Sequence, residues 1–195
     1  MLHNVYKAIT IGGSAGSLDV LLDIVSHLPQ EVNLPIIIIC HLHPHDDGSM
    51  VEIFSRQTVL TVNEAADKEQ VRPGHIYFPP ANYHLLVEMD KTFSLSIDAK
   101  VNYSRPSIDV FFESAAVAWG PELIGILLTG ANNDGAEGIR TIKQYGGLTI
   151  AQDLQEAAYP TMPGAAINTG HVDKVLTVAE INSFLHHLLN NTQSK

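Results

Sequence analysis

Hydrophobic positions along the chain fall into short blocks that alternate between two periods. Val5 to Ile11 is a β-branched run ending in Gly12-Gly13, which predicts a strand meeting a tight turn. Leu18, Leu21, Leu22, Val25 and Leu28 then recur at helical spacing up to Pro29, with Ser17 in the place of an N-cap. Ile36 to Cys40 is an unbroken apolar run, as expected of a parallel strand buried on both faces. His41 to Gly48 reads as a polar loop, and Ser49-Met50-Val51-Glu52 is a capping box opening a short helix. Strand-like pieces follow at Leu60–Val62, His75–Phe78, Leu85–Met89 and Phe93–Ile97, the last two joined by a turn at Asp90-Lys91-Thr92.

Arg105-Pro106-Ser107 leads into a helix from Ile108 to Trp119, and Leu123–Leu128 is a second buried-strand run. Gly135 to Tyr145 has helical spacing and stops at Gly146-Gly147. Leu148–Gln152 is a strand, Pro163–Thr169 a short helix closed by Gly170, and Val172–Leu176 a final strand. Thr177-Val178-Ala179-Glu180 is a second capping box, before a helix to Asn190. Alternating strands and helices predict an α/β fold: a doubly wound, mostly parallel sheet with helices on both faces. The stretch from Leu60 to Ile97 breaks the rhythm and predicts a small antiparallel patch. Residues 1–195 read as a single domain, with no repeat and no long linker.

Composition narrows the function. The net charge of −10 argues against nucleic acid as a partner. The opening residues do not resemble a secretory signal, and no apolar run approaches the ~20 residues of a membrane span, so a cytoplasmic protein without membrane insertion is expected. The single cysteine, Cys40, fits a reducing compartment and reads as a small core residue.

The reactive side chains gather where strands end. In open α/β sheets, sites form outside the carboxyl ends of the strands. Ser14 follows the first strand, His41 the second, and Asp134 lies in the turn Thr129-Gly130-Ala131-Asn132-Asn133-Asp134-Gly135 after the Leu123–Leu128 strand. A serine hydroxyl needs a base to take its proton as it attacks, and a carboxylate behind the imidazole fixes the tautomer. The three residues are therefore a candidate nucleophile, base and orienting group for cleaving a carboxylic ester or a side-chain amide. Backbone N–H groups of Ala15, Gly16 and Ser17 at the start of the first helix, with that of Ala131, are candidate oxyanion donors.

Other chemistries stay open from the residues alone. Gly12-x-Ser14-x-Gly16 matches a nucleophile elbow in form, but its place after the first strand and the order Ser, His, Asp depart from the α/β-hydrolase pattern. The same loop lacks the second glycine of a dinucleotide fingerprint and the lysine of a P-loop. His41-Leu42-His43-Pro44-His45-Asp46-Asp47 offers His41, His43 and His45 as ligands for a metal-dependent hydrolase, with His75, His84 and His171 as scattered completers. A non-catalytic docking module for signalling partners is the third reading. Asn-Asp-Gly at Asp134 is also ordinary turn chemistry.

Six blocks taken together carry a resemblance. Ile11 to Gly16, Cys40-His41-Leu42-His43-Pro44, Val71-Arg72-Pro73-Gly74-His75-Ile76-Tyr77, Arg105 to Val110, Leu128 to Gly138 and Met162-Pro163-Gly164-Ala165-Ala166 resemble, in order, the catalytic domain of the bacterial chemotaxis protein-glutamate methylesterases (CheB-type). The resemblance implies a doubly wound α/β domain with no metal or other cofactor. It implies hydrolysis of glutamate methyl esters, and deamidation of glutamine, on the cytoplasmic bundle of methyl-accepting chemoreceptors. Separate methyltransferase, receiver or kinase proteins would be partners. Ser14, His41 and Asp134 match the family's catalytic residues, and Ala131 stands where methionine is usual. Ala15, Gly16 and Ser17 replace the usual threonine and two glycines, and the first catalytic strand begins too early for an N-terminal receiver domain.

Overall fold

The computed structural model describes residues 6–41 and 49–191. Among the described residues the strands are β1 (Ala8–Gly13), β2 (Ile36–Cys40), β3 (Thr61–Glu64), β4 (His75–Phe78), β5 (His84–Val87), β6 (Phe93–Ser96), β7 (Leu123–Leu127), β8 (Leu148–Gln152) and β9 (Lys174–Leu176). The helices are α1 (Ser17–Ser26), α2 (Ser49–Ser55), α3 (Ile108–Trp119), α4 (Ala136–Gln144), α5 (Thr161–Asn168) and α6 (Val178–Asn191), with a 3₁₀ turn at Gly120–Glu122. Seven strands form one parallel sheet in the order β3-β4-β2-β1-β7-β8-β9. β5 and β6 form a separate antiparallel hairpin.

The expected doubly wound architecture is therefore present, with one redistribution. The antiparallel patch is only β5–β6; β3 and β4 extend the parallel sheet instead. β3, at the edge of the sheet, buries only Val62; its other positions are exposed or half-buried. Ends shift by a few residues, as in β9, which starts at Lys174 rather than Val172.

Period-two alternation within each strand sorts the core onto two faces. Ile9, Ile11, Ile36, Ile38, Ile76 and Ile150 pack against Leu21, Ile24 and Val25 of α1, Phe54 of α2, and Ile181, Leu185 and Leu189 of α6. Ile37, Ile39, Tyr77 and Leu127 face the other way, onto Phe111 and Phe112 of α3, Ile139 and Ile142 of α4, Met162 of α5, and Leu85, Val87 and Phe93 of the hairpin. Both faces are covered, so the central strands read as continuous apolar runs. The order reverses at β1, which leads to β2 on one side and pairs with β7 on the other. The carboxyl ends of β1, β2 and β7 thus form the crevice where such sheets bind ligands.

Candidate active site

Strand register brings the serine and histidine together. Gly13 pairs with Cys40 at the ends of β1 and β2, so Ser14 and His41 leave the sheet side by side. Ser14 N–H donates to the carbonyl of Thr129 (3.0 Å), which extends the β1–β7 ladder and pins the Ser14 turn to the loop that carries Asp134. Ser14 Oγ lies 2.8 Å from His41 Nδ1, and His41 Nε2 lies 2.8 Å from Asp134 Oδ2. Both ring nitrogens are engaged. With Asp134 ionised, Nε2 carries the proton and Nδ1 offers its lone pair to the serine hydroxyl.

The Asp134 carboxylate is fully buried and lies at the N-terminus of α3. Oδ2 accepts from Ile108 N–H (2.7 Å) as well as from His41. Oδ1 accepts from Ser107 Oγ (2.8 Å), Asn102 Nδ2 (3.0 Å) and Asp109 N–H (3.2 Å). Burial raises the carboxyl pKa, but the hydrogen bonds from His41, Asn102, Ile108 and Ser107 outweigh it and hold the group below its ordinary value. The orphan N–H groups of α3 and the helix dipole thus keep this side chain charged without solvent. Ser107, read from the sequence only as the residue before a helix, is the N-cap, with its hydroxyl also accepting from Val110 N–H.

Asp109 sits on the far side of the same carboxylate. Its Oδ1 accepts from Gly138 N–H (2.7 Å) and its Oδ2 from Asn102 Nδ2 (2.8 Å). Burial raises its pKa to about 6; the Gly138 N–H opposes the rise, and the neighbouring Asp134 charge adds to it.

Loop geometry decides which backbone N–H groups near Ser14 remain candidates for oxyanion donors. Gly16, not Ser17, is the N-cap of α1; its φ of 75° is left-handed, a conformation in which it turns the chain without a Cβ. Ser17 is the first helical residue, and its N–H is taken by the Ser14 carbonyl (2.9 Å), so it is not available to substrate in this arrangement. Among the described residues, no protein acceptor takes the N–H groups of Ala15, Gly16 or Ala131. Thr129 ties the two loops together: its hydroxyl accepts from Tyr159 N–H (2.8 Å) and reaches the Ala15 carbonyl (3.1 Å), while its own N–H donates to Gln152 Oε1 (2.8 Å).

Among the described residues, the histidines offered as completers of a metal site do not converge. His75 Nδ1 meets the Pro73 carbonyl, His84 Nε2 the Ala99 carbonyl, and His171 Nδ1 the Thr169 carbonyl. Among the described residues no three His, Cys, Asp or Glu side chains are placed to hold a metal ion. His43, His45, Asp46 and Asp47 lie outside the described residues. Among the described residues, no helix is long and apolar enough to cross a membrane.

Asn102, Asp109 and Thr129 were not legible as site residues. Asp109 reads as a routine acidic residue in a helix first turn, and Asn102 as a loop asparagine. Only the packing of α3 against the β7–α4 turn brings Asn102 and Asp109 to Asp134, while Thr129 reaches the site through Ala15 and Tyr159.

Comparison with known proteins gives the family of the chain. The family model described as CheB methylesterase matches residues 9–185. A protein of Leptospira interrogans serogroup Icterohaemorrhagiae serovar copenhageni, described as "Putative protein-glutamate methylesterase/protein-glutamine glutaminase", is 44% identical over 186 residues, covering 95% of this chain and 96% of its own length. The protein-glutamate methylesterase/protein-glutamine glutaminase 2 of Methanospirillum hungatei is 36% identical over 98% of this chain, which spans 55% of that protein. The crystal structure of the Thermotoga maritima CheB methylesterase catalytic domain superposes with a TM-score of 0.89 at 33% identity, covering 94% of this chain and 98% of that domain. One family model running through both helical layers and the whole sheet, with relatives sharing a third or more of their residues over nearly the full domain, shows that the chain belongs to the CheB methylesterase family.

Proposed function

We propose that this protein hydrolyses the γ-methyl esters of glutamate side chains, and deamidates glutamine side chains, on chemoreceptor-type proteins in the cytoplasm, with residues 1–195 acting as one catalytic domain. The observation that carries the reading is the unbroken row from Ser14 Oγ through His41 to the buried Asp134, two hydrogen bonds of 2.8 Å at the carboxyl edge of the sheet. The names of the relatives supply the substrate class.

His41 Nδ1 takes the hydroxyl proton as Ser14 Oγ attacks the side-chain carbonyl carbon. The N–H groups of Ala15, Gly16 and Ala131 are the donors for the oxyanion. The imidazolium, held by Asp134, returns its proton to the leaving oxygen, so methanol departs and an acyl-serine remains. Water then attacks that ester, giving its proton to His41, and the tetrahedral intermediate collapses to free glutamate and regenerate the Ser14 hydroxyl. With a glutamine substrate the same steps release ammonia. A methyl ester or an amide is neutral whereas the product is a carboxylate, so a protein of net charge −10 disfavours its own product.

Ser14→Ala should lower kcat/KM for methanol release from a methylated receptor fragment by about 10⁴-fold or more. A fluorophosphonate should add once, at Ser14, and fail to add in His41→Ala. Activity of Ser14→Ala within a few-fold of the parent would refute the assignment. Loss of parent activity to a chelator, restored by zinc, would instead support metal-dependent hydrolysis, and partner binding with no serine adduct would leave a docking module.

A further inference from the structure

The triad aspartate does not face its helix alone. Asn102 directs one side-chain nitrogen at two buried carboxylates, Asp109 Oδ2 at 2.8 Å and Asp134 Oδ1 at 3.0 Å. A primary amide has two N–H donors, so it satisfies both at once. The backbone is built for this placement. Asn102 and Tyr103 both have left-handed φ, 50° and 63°, in a tight turn closed by Val101 and Ser104, which exchange N–H···O bonds of 3.2 and 2.9 Å. Asparagine tolerates that conformation better than most side chains. The segment leading into the turn is held from two sides: Arg105 Nη1 donates to the carbonyls of Ile97 (2.7 Å) and Asp98 (3.0 Å), and His84 Nε2 meets the Ala99 carbonyl at 3.1 Å.

We propose that Asn102 and Asp109 form a positioning pair for the triad: Asp109, anchored on the Gly138 N–H, clamps the Asn102 amide, which fixes the Asp134 carboxylate and so sets the pH at which His41 becomes a competent base. This rests on the Ser14–His41–Asp134 reading above and extends it to residues that touch neither substrate nor serine. The charged and titratable neighbours are mostly acidic. Asp109 and Glu113 lie on α3, Glu137 on α4 and Asp134 in the turn before α4, while His84 on β5 accepts from Ser107 N–H at the α3 cap. His43, His45, Asp46 and Asp47 follow His41 in the sequence, outside the described residues. In such a setting a donor shared between two carboxylates matters. Removing it leaves Asp134 more basic and more attractive to the imidazolium proton, so His41 stays protonated to a higher pH. It also frees the carboxylate to rotate about the remaining donors.

The test compares Asn102→Gly, which keeps the left-handed turn and deletes the amide, with Asn102→Asp, which adds a third carboxylate. In Asn102→Gly, kcat for methanol release should fall about tenfold with KM within about twofold, and the acid limb of kcat/KM should move to higher pH by about half a unit or more. Asn102→Asp should move the limb further in the same direction. Titration of the His41 ring followed by NMR, without substrate, should move with it. If the acid limb and the His41 titration stay within about 0.2 pH unit of the parent in both variants, or activity loss merely follows the unfolded fraction, the pairing is wrong. The ring titration does not depend on turnover. A shift there, with Ser14→Ala still active, would retain the positioning pair and reject the catalytic reading; the converse pattern would do the opposite.

Discussion

Replacing Asp134 with asparagine removes one charge and turns one acceptor into a donor. An asparagine here must choose an orientation. With its oxygen toward Ser107, Asn102 and the Asp109 N–H, its amide nitrogen faces Ile108 N–H and His41 Nε2, which lie 2.7 and 2.8 Å from Oδ2 in the parent. Ile108 N–H is then buried without an acceptor, which costs about 1–3 kcal/mol. The anion at the α3 N-terminus is also gone, an interaction worth up to ~2 kcal/mol when partly buried. The carboxyl pKa lies below its ordinary value despite full burial, so the charged form contributes net stability and relief of desolvation does not cancel the loss. Together these give about 2–4 kcal/mol of destabilisation, read from the urea midpoint. The catalytic loss is larger. An amide N–H pointing at Nε2 selects the tautomer with its proton on Nδ1, which removes the lone pair facing Ser14. On that account kcat falls on the order of 10⁴-fold, about 5.5 kcal/mol in the barrier, with KM little changed. The assay is methanol release from a methylated receptor fragment, with fluorophosphonate labelling of Ser14 slowing in parallel. A variant with kcat within tenfold of the parent and an unchanged urea midpoint would refute both the triad role and the electrostatic account of Asp134.

Two further outcomes follow from neighbouring contacts. The Asp109 carboxyl binds its proton more tightly in the fold, with a pKa of about 6, than in the unfolded chain near 3.8. Its contribution therefore favours folding below that lower value and is lost as pH rises towards the upper one. Relative to Asp109→Asn, the parent should lose up to ~3 kcal/mol of stability between about pH 4 and pH 6, and parallel urea-unfolding series would reject this. Thr129→Val deprives Tyr159 N–H of the hydroxyl that accepts it at 2.8 Å and unties the Ala15 carbonyl. It should cost about 1–3 kcal/mol in urea unfolding and lower kcat, and a stability equal to the parent's would show that water replaces the hydroxyl there.

Much of the fold was legible because its signals are local. Ile36–Cys40 and Leu123–Leu127 are apolar at every position, which only strands covered on both faces tolerate, and helices between them force parallel crossovers. The capping box at Thr177 and Glu180 is present as read: Thr177 N–H donates to Glu180 Oε2 at 2.9 Å, and Glu180 N–H to Thr177 Oγ1 at 3.3 Å. Ser14, His41 and Asp134 could be singled out because each type suits one step of acyl transfer and each follows a strand of one sheet. What local pattern could not decide was assignment between neighbours. β3 and β4 carry no mark that sends them to the parallel sheet rather than to the hairpin, since pairing is settled by partners distant in sequence. Ser17 looked like a cap, but the left-handed turn one residue earlier makes Gly16 the cap and directs Ser17 inward.

The sequence by itself therefore determined the elements, the layering and the three reactive residue types, because periodicity and strand-end position are properties of short stretches. Only the tertiary structure decided that Ser14 and His41 leave paired strands together, that the α3 N-terminus holds the Asp134 charge, and that Asn102 lies between two buried carboxylates. Each depends on strand register and on the packing of α3 against the turn before α4. Those are set by the sum of contacts across both faces of the sheet, so no local motif records them.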